Sequence, residues 1–152
     1  MLNKGQKAPG FSLQDKDGKV VSLQDYTGKK VVLYFYPKDD TPGCTIQAQK
    51  FRDMHQEFVK LGIPVIGISK DSVKSHANFC KKYDLPFTLL SDEERTTLAA
   101  YEVLVDKLMY GKPVQKTLRT TFLIDETGRI EHVWEEANPD TNATDILAYL
   151  KD

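Results

Sequence analysis

Two apolar runs separated by a helical pattern constrain the fold of this chain more than any other feature. The run Val31–Tyr36 is rich in β-branched and aromatic residues, which favour buried strands, and Ile63–Ser69 has a similar composition. Between the runs, apolar residues recur at spacings of about three and four, which is typical of a helix from about Pro42 to Leu61. The order strand, helix, strand indicates an α/β fold.

The other patterns of the chain complete this class of fold. Phe11–Leu13 and Val20–Leu23 alternate around a turn, which predicts an N-terminal β-hairpin. The further predicted elements are a helix capped by Asp71 or Ser72 and ending near Tyr83, a short strand Thr88–Leu90, a helix from Asp92 to about Tyr101, a surface loop over Val105–Lys116, a hairpin of Thr120–Ile124 with Ile130–Trp134, and a closing helix Asn142–Leu150. This order predicts a central mixed β-sheet flanked by helices on both faces.

Length and composition predict one globular domain over residues 1–152. The net charge of −1 gives no reason to expect a nucleic acid or an anionic membrane as partner. No apolar run approaches the ~20 residues of a membrane span, and no apolar leader begins the chain, so we expect a cytoplasmic location. The chain has 2 cysteines and no C-x-x-C, which argues against a disulfide scaffold and against a thioredoxin-type reductase.

Cys44 lies where the first apolar strand passes into the first helix. Thr41 is a good N-cap and Pro42 fits the first helical position, so Cys44 falls in the first turn. The free N–H groups and the positive end of the helix dipole favour a thiolate there. Gly43 lacks a Cβ and therefore lets a ligand approach its backbone N–H closely. The pattern predicts a reactive sulfur, the alternative being a buried structural thiol.

The same residues carry a resemblance to a known family. Pro37, Thr41 and Cys44 match the PxxxTxxC motif of the peroxiredoxins. The sequences of residues 41–48 and of Arg119–Asp125 are similar to those of the bacterioferritin-comigratory, or Q-type, branch. The resemblance covers essentially the whole chain, and it implies a thioredoxin-like fold and a thiol peroxidase that acts on hydrogen peroxide and organic hydroperoxides.

The resemblance also implies roles for the site residues. Cys44 would attack the peroxide and become a sulfenic acid, Thr41 Oγ would accept the distal proton or bind the thiolate, and Pro37 would shield the site from water. Arg119 would place a cation beside the sulfur, although its position alone indicates a solvated charge at a strand end. We expect Asp39 and Asp40 to face solvent, because a carboxylate beside the sulfur would disfavour the thiolate.

Cys80 is the candidate resolving cysteine. Many members of the Q-type branch place that cysteine five residues after the first one, where this chain has Gln49, and a known variant places it on the next helix, where Cys80 falls. The resemblance then implies a Cys44–Cys80 disulfide that thioredoxin reduces. Val73, Ala77 and Cys80 share a helical face that should face the core, so the alternative is an inert core thiol and a one-cysteine cycle. A disulfide needs Cα atoms within ~7 Å, so both helical turns would have to unwind.

Other kinds of function find little support in the sequence. His76 and Cys80 are spaced i, i+4, but two ligands do not make a structural metal site. There is no nucleotide motif, so we expect neither metal nor cofactor. We expect a monomer or a weak homodimer. A rival from another class is a non-catalytic binding or holdase protein that keeps the thioredoxin-like fold and the motif as structure.

Overall fold

The computed structural model describes residues 2–151 and consists of a large sheet, a separate hairpin and five α-helices in that part of the chain. The strands are β1 (Ser12–Gln14), β2 (Val20–Ser22), β3 (Val31–Phe35), β4 (Val65–Ser69), β5 (Thr88–Ser91), β6 (Leu104–Met109), β7 (Lys112–Thr117), β8 (Thr120–Ile124) and β9 (Ile130–Trp134). The helices are α1 (Pro42–Asp53), α2 (His55–Leu61), α3 (Val73–Tyr83), α4 (Thr96–Ala100) and α5 (Asn142–Lys151), with a 3₁₀ turn at Leu23–Tyr26.

The large sheet has seven strands in the order β2-β1-β5-β4-β3-β8-β9. Strands β3, β4 and β5 are parallel to one another, whereas β8 and β9 and the N-terminal hairpin β1–β2 pair in antiparallel fashion. The predicted mixed sheet flanked by helices, with an N-terminal hairpin, is therefore confirmed. β3 lies between β4 and β8, so the segment that leaves its C-terminal end starts from the middle of the sheet.

Two hydrophobic clusters cover the two faces of the sheet. Side chains alternate along a strand, and in β3 Val32 and Tyr34 join one cluster while Leu33 and Phe35 join the other. The first cluster contains both cysteines and the buried apolar residues of α1, α2, α3 and α5. The second contains Leu98 of α4. The candidate reactive sulfur therefore belongs to the face that carries most of the helices.

The prediction of a surface loop over Val105–Lys116 is wrong. These residues belong to strands β6 and β7, which pair with each other from Leu104↔Thr117 to Met109↔Lys112 and do not join the large sheet. Tyr110 and Gly111, both with positive φ, make the tight turn between them. Most residues of this hairpin are exposed on both faces. No alternating pattern marks the hairpin in the sequence, because such a pattern arises when one face is buried.

The predicted helix from Pro42 to Leu61 is two helices. Met54 leaves helical geometry with a ψ of 5°, and a tighter bond runs from Glu57 N–H to the Met54 carbonyl. Phe51 before the break and Phe58 after it are both buried in the same cluster. The apolar period thus continues across the break and hides it in the sequence.

The predicted starts of the next two helices had different outcomes. Ser72 caps α3 by accepting a hydrogen bond from Ser75 N–H, as one of the two proposed caps. α4 begins only at Thr96, after Arg95 in the left-handed region. The Asp92 carboxylate accepts the Leu98 N–H instead of opening the helix itself.

Candidate active site

Cys44 lies in the first turn of α1, directly after the loop that follows β3. Thr41 is extended, Pro42 opens the helix, and the Thr45 N–H donates to the Thr41 carbonyl at 2.8 Å. The N–H groups of Gly43 and Cys44 precede that first intrahelical bond, so they point outward as unpaired donors do at helix N-termini. The side chain of Cys44 is buried, with 2% of its surface exposed.

Thr41 occupies the N-cap position but does not cap the helix with its side chain. Its hydroxyl instead donates to the Lys38 carbonyl at 2.8 Å. The prediction of a capping hydroxyl is therefore wrong, because the loop offers this carbonyl three residues earlier in the chain. The bond leaves the Thr41 oxygen free to accept hydrogen bonds beside the first turn of α1.

Arg119 places a guanidinium against the Cys44 sulfur. Arg119 precedes β8, and β8 pairs with β3 through Thr120↔Phe35, which brings the arginine to the end of β3 from which α1 departs. Its Nη2 donates to Cys44 Sγ at 3.4 Å. This contact places a positive charge directly beside the sulfur.

A chain of buried amides holds the other side of the guanidinium. Arg119 Nη1 donates to Gln47 Oε1 at 2.8 Å, and Gln47 Nε2 donates to Asn142 Oδ1 at 3.1 Å. The Thr121 hydroxyl donates to the same Asn142 oxygen at 2.8 Å. Gln47 and Asn142 were not among the sequence-predicted site residues. The available signal was the i, i+3 spacing of Cys44 and Gln47, which puts both on one face of α1.

Gly43 makes room for this arginine. A Cβ at Gly43 would lie 2.9 Å from Arg119 Nη2, closer than real Cβ contacts allow. Close approach of a ligand is the reason that the sequence suggests for this glycine, and the approach of the guanidinium is a second reason. A side chain at this position and the observed Arg119–Cys44 contact exclude each other.

Pro37 and Arg119 share a cavity next to the sulfur site. Its volume is about 290 Å³, and Leu118 and Ala137 supply further apolar wall. Lys116, Glu135 and Glu136 complete the lining with Thr117. Pro37 is half-buried between this cavity and the end of β3. The cavity is thus lined by the arginine whose guanidinium contacts Cys44.

Cys80 lies in the C-terminal half of α3 and is buried, with 5% of its surface exposed. This confirms the expectation that it faces the core, where it shares a cluster with Cys44, and neither of the two cysteines is in a disulfide. Burial raises the pKa of the Cys80 thiol to about 11. In this conformation burial favours the protonated thiol of Cys80.

The expectation that Asp39 and Asp40 both face solvent is wrong for Asp39. Asp39 is buried and accepts hydrogen bonds from Tyr36 and from α3, whereas Asp40 is exposed. Asp40 has a φ of 56°, so the chain turns there and presents the two neighbouring carboxylates to different surroundings. Asp39 points toward α3 and not toward the Cys44 sulfur.

A cysteine in the first turn of a helix, with a guanidinium on its sulfur, is the kind of environment in which reactive cysteines occur. The AhpC/TSA family model matches residues 4–133. The chain belongs to this family, in the branch of Bcp and peroxiredoxin Q. It is a peroxiredoxin, a peroxidase that uses a thiol.

Two relatives align with this chain along nearly its whole length. A Bcp-type relative from Coxiella burnetii is 53% identical over 146 residues, which cover 96% of this chain and 97% of that one. Peroxiredoxin Bcp of Bacillus subtilis is 45% identical over 148 residues, covering 97% of this chain and 94% of its own.

A solved structure confirms the thioredoxin-like fold. The bacterioferritin comigratory protein of Xanthomonas campestris superposes with a TM-score of 0.91 at 36% identity, with 98% of each chain covered. No α-helix within residues 2–151 has the length and apolar character needed to cross a membrane.

Proposed function

We propose that this chain reduces hydrogen peroxide and organic hydroperoxides with Cys44 as the attacking thiolate. The observation that carries the proposal is the contact of 3.4 Å between Arg119 Nη2 and Cys44 Sγ at the start of α1. Two sources of positive potential, the helix N-terminus and the guanidinium, meet at this sulfur.

In the first step the Cys44 thiolate attacks one peroxide oxygen. The S–O bond forms as the O–O bond breaks, so Cys44 becomes a sulfenic acid and the other oxygen leaves as hydroxide or alkoxide. The N–H groups of Gly43 and Cys44 and the Arg119 guanidinium can stabilise the charge that develops on the leaving oxygen. Thr41 Oγ, as an acceptor, can hold the proton of the peroxide in line.

The cavity beside Pro37 supports the organic part of the substrate range. Pro37, Leu118 and Ala137 give it apolar walls, and Arg119 is part of its lining. A hydroperoxide with its oxygens at Arg119 could place a small alkyl group against these walls. Hydrogen peroxide needs no such surface, so the cavity bears on organic hydroperoxides alone.

In the second step Cys80 would attack the Cys44 sulfenic acid, which releases water and leaves an intramolecular disulfide. Both cysteines already belong to one cluster. Solved structures of the Xanthomonas campestris peroxiredoxin Q include serine mutants of two cysteines that lie 36 positions apart, the separation of Cys44 and Cys80. A dithiol such as thioredoxin would then reduce the disulfide and become oxidised itself.

One observation favours a second candidate, a one-cysteine cycle with an external thiol. Cys80 is buried in α3, and its raised pKa keeps it protonated. Cys80 can act only if its part of α3 leaves the core, which returns the thiol to water and to an ordinary pKa of about 8.5. The two candidates differ in whether this local opening occurs once Cys44 is oxidised.

A peroxidase assay with thioredoxin as reductant tests the proposal. Cys44→Ser should abolish turnover, and Arg119→Lys should lower the rate of the first step, because lysine keeps the charge but loses the planar fork that spans Cys44 and Gln47. Cys80→Ser should keep a fast first step and lose turnover. Full turnover of Cys80→Ser with thioredoxin would favour the one-cysteine cycle, and an active Cys44→Ser would overturn the proposal.

A further inference from the structure

Two adjacent carboxylates tie the loop before Cys44 to α3, the helix that carries Cys80. Asp39 Oδ2 lies 2.7 Å from His76 Nδ1 and accepts the Ser75 hydroxyl at 2.8 Å. Its other oxygen accepts the Tyr36 hydroxyl at 2.5 Å. The backbone N–H of Asp39 donates to Asp71, just before α3, at 2.8 Å.

Asp40 holds the other end of the same helix. Its two oxygens accept hydrogen bonds from Lys82 Nζ and from the Tyr83 hydroxyl, each at 2.8 Å. These contacts lower the pKa of Asp40 and raise that of Lys82. All three groups are at or near the surface, in contrast to the buried pair of Asp39 and His76.

The two attachments flank Cys80. His76 precedes it by one helical turn and Lys82 follows it by two residues, while Asp39 and Asp40 stand shortly before Thr41 and the first turn of α1. We propose that Asp39 and Asp40, with their partners Ser75, His76, Lys82 and Tyr83, form a carboxylate clamp that positions Cys80 and sets the rate of its reaction with the Cys44 sulfenic acid. The inference rests on the resolving role of Cys80 proposed above.

The clamp opposes the movement that resolution requires. His76 Nε2 faces the Leu90 carbonyl at 3.0 Å, and because a carbonyl only accepts, Nε2 must donate. His76 is completely buried, so breaking its bond to Asp39 removes a buried hydrogen bond that water cannot replace until the site opens. The helical turns around Cys80 can unwind only when these contacts open.

The two arms of the clamp should differ in strength and in salt dependence. The Asp39–His76 contact is shielded from solvent, whereas the Asp40–Lys82 pair is exposed and screened by ions. Loosening either arm should speed disulfide formation and shorten the life of the sulfenic acid. Less of Cys44 would then proceed to sulfinic acid at high peroxide.

Stopped-flow oxidation separates the two rates. The second-order rate of Cys44 oxidation scales with peroxide, and the first-order rate of disulfide formation does not. His76→Asn should raise the first-order rate about tenfold, as expected for the loss of one buried hydrogen bond. Lys82→Met should raise it about two- to threefold at low salt and have no effect at 1 M salt. The second-order rate should stay within about twofold of wild type in both.

Lys81→Met is the matched control for Lys82→Met, because Lys81 is the neighbouring exposed lysine on α3. Ile130→Val, in the cluster on the other face of the sheet, is the control for a general loss of stability. Neither should change the first-order rate. Asp40→Asn tests the exposed arm from the loop side, since asparagine tolerates the positive φ of this position.

Hydrogen exchange of the reduced protein supplies a readout that does not depend on Cys80 chemistry. Amides of residues 76–83 should exchange faster in His76→Asn and in Asp40→Asn than in wild type, and those of β8 should not. If wild type forms no disulfide at all, the resolving role fails. If the disulfide forms and its rate is the same in every variant, or if Ile130→Val accelerates it equally, the clamp is wrong. Should His76→Asn not fold, Lys82→Met and Asp40→Asn decide the matter.

Discussion

At Gly43 the absence of a side chain decides where a charge lies. A methyl group there would meet the end of the Arg119 side chain and not the backbone, so the clash can be relieved by moving the guanidinium. A substitution at Gly43 therefore separates the electrostatics of the Cys44 sulfur from the stability of the fold. It affects the electrostatics of the sulfur far more than the stability of the fold.

We predict that Gly43→Ala lowers the second-order rate of reaction with peroxide about tenfold or more, because the guanidinium leaves Cys44 Sγ. The free energy of unfolding should change by less than about 1 kcal/mol. Stopped-flow kinetics and denaturant unfolding measure the two quantities. An unchanged rate would show that the Arg119–Cys44 contact does not contribute to catalysis.

The buried hydroxyl of Tyr34 destabilises the folded state. Its hydroxyl is buried and has no hydrogen-bond partner within residues 2–151, and its ring stacks on Phe51 with centroids 4.7 Å apart. Tyr34→Phe should therefore raise the free energy of unfolding by about 1 kcal/mol. Urea denaturation tests this, with Tyr36→Phe as the matched control that loses the bond to Asp39 and should be destabilised.

Local pattern was sufficient to place Cys44 but not its surroundings. Thr41, Pro42 and the apolar period after them put the sulfur in a first helical turn, since these signals lie within one turn of each other. The Gln47–Asn142 contact joins α1 to α5, which are almost a hundred residues apart in the chain. The burial of Asp39 depends on α3 in the same way. Long-range packing of this kind leaves no local signature.

The pH dependence of Cys80 alkylation shows whether α3 keeps this cysteine buried. Burial raises the pKa of this thiol to about 11, and only the thiolate reacts with alkylating agents. In Cys44→Ser, alkylation of Cys80 should be slow at pH 8 and should accelerate up to about pH 11. The denatured protein should instead reach its full rate above about pH 8.5. A native midpoint near 8.5 would show that α3 opens readily without oxidation.

The same raised pKa has a consequence for stability. The folded state favours the protonated thiol, so this stabilisation is complete below the unfolded pKa of about 8.5 and declines as the pH rises toward 11. Cys80→Ser removes this contribution and should flatten the stability profile in that range. Denaturant unfolding at several pH values measures it.

The strands differ in how clearly the sequence predicts them. β3, β4 and β8 are buried on both faces and read as continuous apolar runs, so they were predicted directly. The hairpin β6–β7 does not join the large sheet, is exposed along most of its length and carries no alternating pattern. Its turn residues Tyr110 and Gly111 were the available signal.

The molecule as a whole must satisfy two opposed demands. In the structure described above, α1 holds Cys44 beside Arg119, and α3 keeps Cys80 protonated in the core. In the proposed second step both sulfurs leave these places and meet. The contacts between the loop before α1 and α3 stabilise the first arrangement and oppose the second. Their strength therefore sets the balance between fast resolution and over-oxidation.

Intact mass after one equivalent of hydrogen peroxide tests the central claim most directly. Wild type should lose two hydrogens, and peptide mapping without reductant should join Cys44 to Cys80 within one chain. Cys80→Ser should instead gain one oxygen, on Cys44. A wild type that gains one oxygen would contradict the resolving role of Cys80, and a wild type of unchanged mass would contradict the reactivity of Cys44.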